Sequence, residues 1–407
     1  MAAPAPAHVS THAVGASERL LALDVFRGAT IAAMLVVNNP GTWGAVYPPL
    51  LHAEWHGWTP TDLIFPFFLF IVGVTTHLSL TARRARGDGD RALLRQILRR
   101  GGLIFLWGFV LSAFPFFATG PVSGHPDPSF LERVAYRFEH VRYLGVLQRI
   151  GIAYVVAALL TFRTTLKQQV AILAALLLGY WFAMTLLPVP GHGVGALLLD
   201  SRSDNLAAHL DRWILGLDHV WSGSRTFDPE GPLSTIPAVG TTMLGVLAGR
   251  WIGSGKPLGE RIEGLFAAGF LATALGMAWG CSFPINKSLW TSSYALFTAG
   301  AATAALAACL WVIDRMGVTW WTTPLKVFGV NPLVAFVGSG LMARLIYSLI
   351  VVEVRGERMS LEAALYGTLF APWLEPRDAS LLFALAFTGF WLAVLWVLYR
   401  RRILIRV

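Results

Sequence analysis

The stretch HAEWHGWTPTDLIFPFFLF, residues 52–70, sets His52, Trp55, His56, Trp58 and Asp62 against the start of a long apolar run. Histidine titrates in the neutral range and serves as a general base, but a lone histidine in a tryptophan-rich loop is equally an ordinary interfacial polar group. Asp62 opens the segment DLIFP, where a carboxylate caps backbone N–H groups and suits the helix dipole. His56 is the weaker candidate, and His77, inside the apolar run, reads as a helix-packing residue. In LLALDVFRGATIAAMLVVNN, Asp24 and Arg27 share one helical face while Asn38 and Asn39 close the far end. That pair either locks its helix to a neighbour or leaves Arg27 to bind an anion. Further along, RYLGVLQRIG carries Gln148 and Arg149, FDPEGPLSTIPA carries Asp228 and Glu230, PINKSLW carries Asn286 and Lys287, and FGVNPL carries Asn331. For any one of them a cap or an interfacial anchor is the plainer role.

Soluble catalytic signatures do not occur: there is no GxSxG elbow, HExxH pair or Walker loop. The acids at 228 and 230 lack a metal-ligand partner at useful spacing, so no metal is expected. Cys281 and Cys309 lie in or beside apolar runs far apart in the chain, which supports neither a disulfide framework nor a thiolate metal site.

The elements that must position these side chains are membrane spans. Of 407 residues 55% are hydrophobic and 14% charged, with 16 Trp, too apolar for a soluble domain of this length. The net charge of +9 sits in short connections between apolar runs, the pattern of membrane orientation and not of nucleic-acid binding. Runs of roughly 20 residues, the length of a membrane-crossing helix, fall near 20–37, 63–80, 103–119, 143–162, 170–187, 232–252, 265–283, 289–313, 327–352 and 380–399. The fold class read from this pattern is an all-α polytopic bundle of about ten transmembrane helices. A disordered tail over 1–18 precedes a single transmembrane domain over 19–407, both termini being cytoplasmic.

Orientation follows the Lys/Arg bias of short loops. Seven arginines between Arg83 and Arg100 and the tail YRRRILIRV mark cytoplasmic segments, so the loops at 39–62, 120–142, 188–231 and 353–379 face outward. Two short apolar segments are expected not to cross: 359–374, interfacial or re-entrant, and 206–217, an amphipathic interfacial helix. His52, Asp228, Glu230, Asn286 and Lys287 then collect at the outer edge, with Gln148 and Arg149 slightly inside it.

The motifs LDVFRGATI, NNPG, HAEWHGWTPTDLIFPFFLFIVG, LGVLQRIG, FDPEGPLSTIPA and PINKSLWTSSY, in this order, resemble the heparan-alpha-glucosaminide N-acetyltransferase family over about residues 18–336. The resemblance implies an enzyme of the cell (inner) membrane that takes an acetyl group from cytoplasmic acetyl-CoA and transfers it to the amino group of a glucosamine-type sugar at the extracytoplasmic face. It also implies a homodimer in the lipid bilayer, with His52 matching the family's active-site histidine and Asn38 its neighbouring asparagine. His56 is not inherited as catalytic. Animal members carry an extra luminal domain without a counterpart here, so the expected acceptor is a small amino sugar or glycan.

Amide formation needs a neutral amine, a thioester within attack distance and stabilisation of the oxyanion. His52 supplies a general base or, by the competing route, an acyl acceptor. Asn38 donates to the thioester oxygen or orients the imidazole. The donor-binding candidates are Arg27, Gln148, Arg149 and Lys287, with Arg27 at the inner end placed to meet the CoA phosphates. The acceptor-binding candidates are Trp55, Asp62, Glu230 and Trp290, although an interfacial tryptophan belt gives the same pattern without a ligand. The rival reading is a transporter of an amino sugar or related solute in which intramembrane charges line a permeation path. A third is a protein whose motifs only pack helices.

Overall fold

The apolar runs fold as helices in chain order, and the computed structural model describes residues 20–405, so the tail over 1–18 lies outside the described residues. The first half comprises α1 (Leu21–Asn38), α2 (Ile64–Ala85), α3 (Asp90–Ala113), α4 (Phe130–Glu139), α5 (Val146–Arg163), α6 (Leu166–Leu186) and α7 (Leu206–Leu215). The second comprises α8 (Pro232–Ile252), α9 (Leu258–Gly280), α10 (Ser292–Cys309), α11 (Thr322–Val330), α12 (Pro332–Arg344), α13 (Leu361–Leu369) and α14 (Pro376–Arg400). Among the described residues the strands form two small antiparallel hairpins, the larger pairing Val351–Val354 with Glu357–Ser360.

Among the described residues nine helices are long and apolar enough to cross a membrane: α1, α2 with its leading 3-10 turn, α5, α6, α8, α9, α10, α12 and α14. Composition alone sets α3 apart, because Arg91, Arg95, Arg99 and Arg100 fill its first half. Packing nevertheless lays it antiparallel along α5, with Gly101 against Gly151 and Gly108 against Gln148. At its basic end Leu93 and Ile97 join Ala158 and Phe162, from the far end of α5, in one apolar cluster. A helix that follows a crossing helix from end to end crosses with it, its arginines reaching the interface on their apolar stems.

Several boundaries differ from the sequence reading. Helix α3 begins at Asp90, well before 103, and stops at Ala113 short of 119, since a basic first half is no obstacle to helix formation. The run 327–352 is not one helix. Pro332 cannot donate to the ladder and forces Asn331 out of helical geometry, so the run divides into α11 and α12. The Asn331 side chain then ties down the C-terminal segment, donating to the Ile403 carbonyl and accepting from Ile405 N, both at 3.0 Å. Neither short segment crosses: 206–217 forms α7, with Asp211 turned inward and Trp213 77% exposed, and 359–374 contains α13.

Glycines set the spacing of the central helices. A Cβ on Gly73 of α2 would lie 1.9 Å from the Thr242 carbonyl oxygen, and one on Gly245 of α8 would lie 2.1 Å from that of Phe70. Backbones this close belong to small-residue crossings, which pack helices in lipid by van der Waals contact. Asp62 lies just ahead of α2 and Glu230 just ahead of α8, so this crossing fixes their relative position.

Candidate active site

Asp62 opens a 3-10 turn (Pro60–Leu63) through a reciprocal capping box with Thr59. Its Oδ2 accepts from the backbone N–H groups of Ala53 and Thr59, both at 3.0 Å. The other carboxylate oxygen lies 2.7 Å from His52 Nδ1. A carboxylate can only accept here, so the proton resides on Nδ1 and Nε2 keeps the acceptor lone pair, on the side that Lys287 also reaches. Asp62 is fully buried while the His52 side chain is 51% exposed. Tyr294 fixes the turn from below, its hydroxyl donating to the Asp62 carbonyl at 2.5 Å. Asp62 is thus the cap expected from the sequence and, beyond that, the group that orients His52.

The loop between α9 and α10 supplies the cation. Asn286 Oδ1 accepts from Leu289 N at 2.9 Å, and Asn286 N donates to Thr291 Oγ1 at 3.1 Å, closing a tight turn. Trp290 adopts a left-handed φ of 49°, uncommon for a bulky residue, and its indole N–H is held by Thr241 Oγ1 at 3.1 Å. Gly57 N donates to the Ile285 carbonyl at 2.8 Å, joining this loop to the HAEWHG loop. Lys287 Nζ consequently stands 2.9 Å from His52 Nδ1, 3.2 Å from Nε2 and 3.4 Å from Asp62 Oδ1. Burial pushes the Lys287 ammonium below the ordinary lysine range, against the opposing pull of Asp62 and Glu230.

Arg142, which sequence reasoning passed over, organises the third wall. It pairs with Asp228 through Nε at 2.8 Å and Nη2 at 2.5 Å, and the same Nη2 donates to Glu230. Burial pushes the Glu230 carboxyl up, but Arg142 and Arg149 outweigh it and hold the group below the usual carboxylate range. Behind this pair, Asp211 accepts from Asp228 N at 2.9 Å through Oδ2, while its buried Oδ1 has no partner among the described residues. Burial pushes the Asp211 carboxyl up to about 7.

These walls enclose a cavity of about 520 Å³ lined by Asn38, His52, Trp55, Asp62, Glu230, Lys287 and Trp290 together. Arg202 also reaches it. The Asn38 side chain makes no hydrogen bond among the described residues and is exposed, so its amide is available to a ligand. Trp55 contributes ring surface, its indole N–H fixed on the Leu199 carbonyl at 2.9 Å, while Trp290 is almost wholly buried and meets the cavity only at an edge. Three donor-binding candidates fall elsewhere. Gln148 lines an adjoining cavity, Arg149 lies behind Trp290 with its guanidinium 5.1 Å from that ring, and Arg27 stays toward the other end of α1 on Asp24 and the Gly329 carbonyl. Among the described residues no group of His, Cys, Asp and Glu could hold a metal ion. His56, by contrast, faces Asp200 at 2.9 Å and Asn286 at 3.3 Å, outside the cavity lining.

Fold and site together define a polytopic membrane protein with a histidine, its orienting carboxylate and a lysine gathered in a cavity at one end of the bundle. Residues 19–267 match the family model described as heparan-alpha-glucosaminide N-acetyltransferase, catalytic, and the chain belongs to that family. It is 31% identical over 366 residues to the heparan-alpha-glucosaminide N-acetyltransferase of Homo sapiens, covering 79% of this chain and 52% of that protein. The protein of the same name from Mus musculus is 30% identical over 370 residues, covering 79% of this chain and 53% of its own. The chain thus spans about half the length of the curated relatives it matches.

Proposed function

We propose that this chain is a membrane N-acetyltransferase that moves an acetyl group from acetyl-CoA to the amino group of a glucosamine-type sugar. One observation carries the reading: a histidine with Nδ1 on a buried aspartate and a lysine ammonium beside the ring, in a cavity large enough for a sugar and an acyl group. The thioester carbonyl lies between Asn38 and Lys287, whose N–H groups meet the oxyanion as it forms. The Nε2 lone pair takes the proton of the attacking amine, the new C–N bond forms, the C–S bond breaks and the thiolate leaves as CoA. The same lone pair serves if acetyl is first passed to His52. Trp55 and the edge of Trp290 offer apolar surface to the sugar ring, and Glu230 and Asp62 offer negative charge to an incoming ammonium. Of the donor-binding candidates, Lys287 is the one at the reacting end.

The Lys/Arg distribution supports an inner-membrane orientation with this cavity toward the extracytoplasmic side and the donor arriving from the cytoplasm. Residues 19–407 act as one transmembrane unit, and the exposed apolar face of α9, with Phe270 72% exposed, is available to lipid or to a second copy of the chain. The test is stoichiometry in detergent: the enzyme releases one CoA per N-acetylated sugar without a sealed membrane. Movement of unmodified sugar into liposomes, with no CoA released, would replace this reading with transport.

A further inference from the structure

The two faces of α3 differ in kind. Leu93, Ile97 and Gly101 are buried against the bundle, whereas Arg91, Arg95, Leu98, Arg99, Gly102 and Leu106 are exposed on the opposite face. The exposed positions recur at intervals of three and four residues and so form one stripe along the helix, cationic in its first half and apolar in its second. Among the described residues the side chains of Arg91, Arg95 and Arg99 make no hydrogen bond, ion pair or cation–π contact. Their neighbours do. Arg83 pairs with Asp88 at 3.3 Å, Arg84 donates to the Phe162 carbonyl at 2.8 Å, and Arg100 lies over the Tyr154 ring at 4.9 Å. Asp90 precedes Arg91 but stands about 100° around the helix axis from it, off the stripe.

The unanswered charges reach membrane depth. Arg100 over Tyr154, Gly101 on Gly151 and Gly108 against Gln148 fix the antiparallel register of α3 on α5. By that register Arg91 is level with the end of α5 at Arg163, and Arg95 and Arg99 stand roughly 6 and 12 Å further in, at about 1.5 Å per residue. An arginine at such a level is costly unless its charge is answered, and among the described residues no group answers these three. Directly beyond Arg99 the stripe turns apolar, with open space where a Cβ on Gly102 would be and Leu106 54% exposed. We propose that this stripe binds an anionic phospholipid of the leaflet at the arginine-rich end, its phosphate held by Arg91, Arg95 and Arg99 and one acyl chain following Leu98, Gly102 and Leu106. A guanidinium takes phosphate oxygens in bidentate fashion, and basic segments at a membrane surface draw anionic lipid. The run of cationic into apolar surface on one face favours a lipid over a soluble phosphate, which makes no use of the apolar half. A second copy of the chain fits worse, because a two-fold contact through the stripe sets arginine against arginine. The site does not depend on the reaction at His52.

The experiment titrates the purified full chain in detergent with phosphatidylglycerol, cardiolipin or phosphatidylcholine and reads the Kd of the first lipid bound by native mass spectrometry. Wild type is compared with Arg95→Gln, with the triple variant Arg91→Gln, Arg95→Gln, Arg99→Gln, and with Arg401→Gln, which removes one exposed charge beyond the end of α14. Wild type should bind at least one anionic lipid about fivefold or more tighter than phosphatidylcholine, and Arg95→Gln should lose about fivefold of that affinity, the scale of one arginine at an anionic surface. The triple variant should bind all three lipids alike, and Arg401→Gln should match wild type. Equal affinity of wild type for anionic and zwitterionic lipid overturns the proposal whether or not any variant folds. A preference unchanged in the folded triple variant, or lost as fully in Arg401→Gln as in Arg95→Gln, overturns it too. Glycerol 3-phosphate and CoA are then added as competitors and should leave the lipid in place. Displacement by glycerol 3-phosphate at lipid-like concentration would make the stripe a free-phosphate site, and displacement by CoA would assign it to the acyl donor, either of which contradicts a lipid site.

Discussion

Asp62 uses one carboxylate twice, capping the turn into α2 with Oδ2 and holding His52 with Oδ1. Asp62→Asn preserves much of the cap but lets an amide donate to Nδ1, which favours the wrong tautomer. Turnover should fall by roughly 10²–10⁴ with the protein still folded, and a loss under about threefold would remove the orienting role. Arg142→Gln tests the third wall by leaving two buried carboxylates without their cation, at a cost of about 3–5 kcal/mol. The melting temperature should drop steeply and recover in Arg142→Gln combined with Asp228→Asn and Glu230→Gln. Asp211 supplies a pH dependence of opposite sign to the usual carboxylate. Its folded-state pKa is raised to about 7, so between the ordinary carboxylate range and pH 7 the folded protein holds a proton that the unfolded chain has released. Stability from this group is therefore lost as pH rises through that window, and Asp211→Asn should show a flatter melting profile from pH 5 to 8 than wild type. How much of the site was legible depended on residue spacing. Lys287, Glu230 and Trp290 stood out because they precede spans, and His52 and Asn38 because of the motifs around them. Arg142 did not, since its partners lie 86 and 88 residues away and nothing local marks the pair. Nor did the bond from His52 to Asp62, which joins a loop residue to a 3-10 turn where no helix or strand period relates the two.

Helices hold these groups in register through close crossings at glycine. A side chain on Gly245 would strike the Phe70 carbonyl, which is backbone and cannot swing aside, so Gly245→Val should cost about 1–3 kcal/mol or more and spread α2 from α8. Gly389, with open space where its Cβ would be, is the control, and Gly389→Val should leave the melting temperature nearly unchanged. Equal effects at both positions, measured by melting in detergent, would show that close approach is not what matters. Apolar periodicity found most elements because long hydrophobic runs have few alternatives in lipid. It misjudged α3, whose arginine-rich half looks like a loop until Gly101 and Gly108 are seen to lie along α5. It also missed the break at Asn331, although the following proline is a local signal that the helix must end there.

For the whole molecule, the two ends of the bundle differ in charge and in chemistry, with the arginine-rich connections opposite the His52 cavity. Cys281, exposed after α9, should react with a membrane-impermeant maleimide added to spheroplasts. Asp88→Cys in a Cys281→Ser background should react only after permeabilisation, and the reverse pattern would turn the molecule over. Charge bias is the sequence feature from which this orientation is proposed, whereas the shape of the two adjoining cavities depends on five helices and the loops between them and left no linear trace. The most direct test is CoA release by purified protein in detergent, given acetyl-CoA and glucosamine, with product mass recorded and folded His52→Ala run in parallel. Wild type should yield N-acetylglucosamine and CoA in equal amounts and the variant neither. Equal product from a folded His52→Ala protein would contradict a catalytic role for His52.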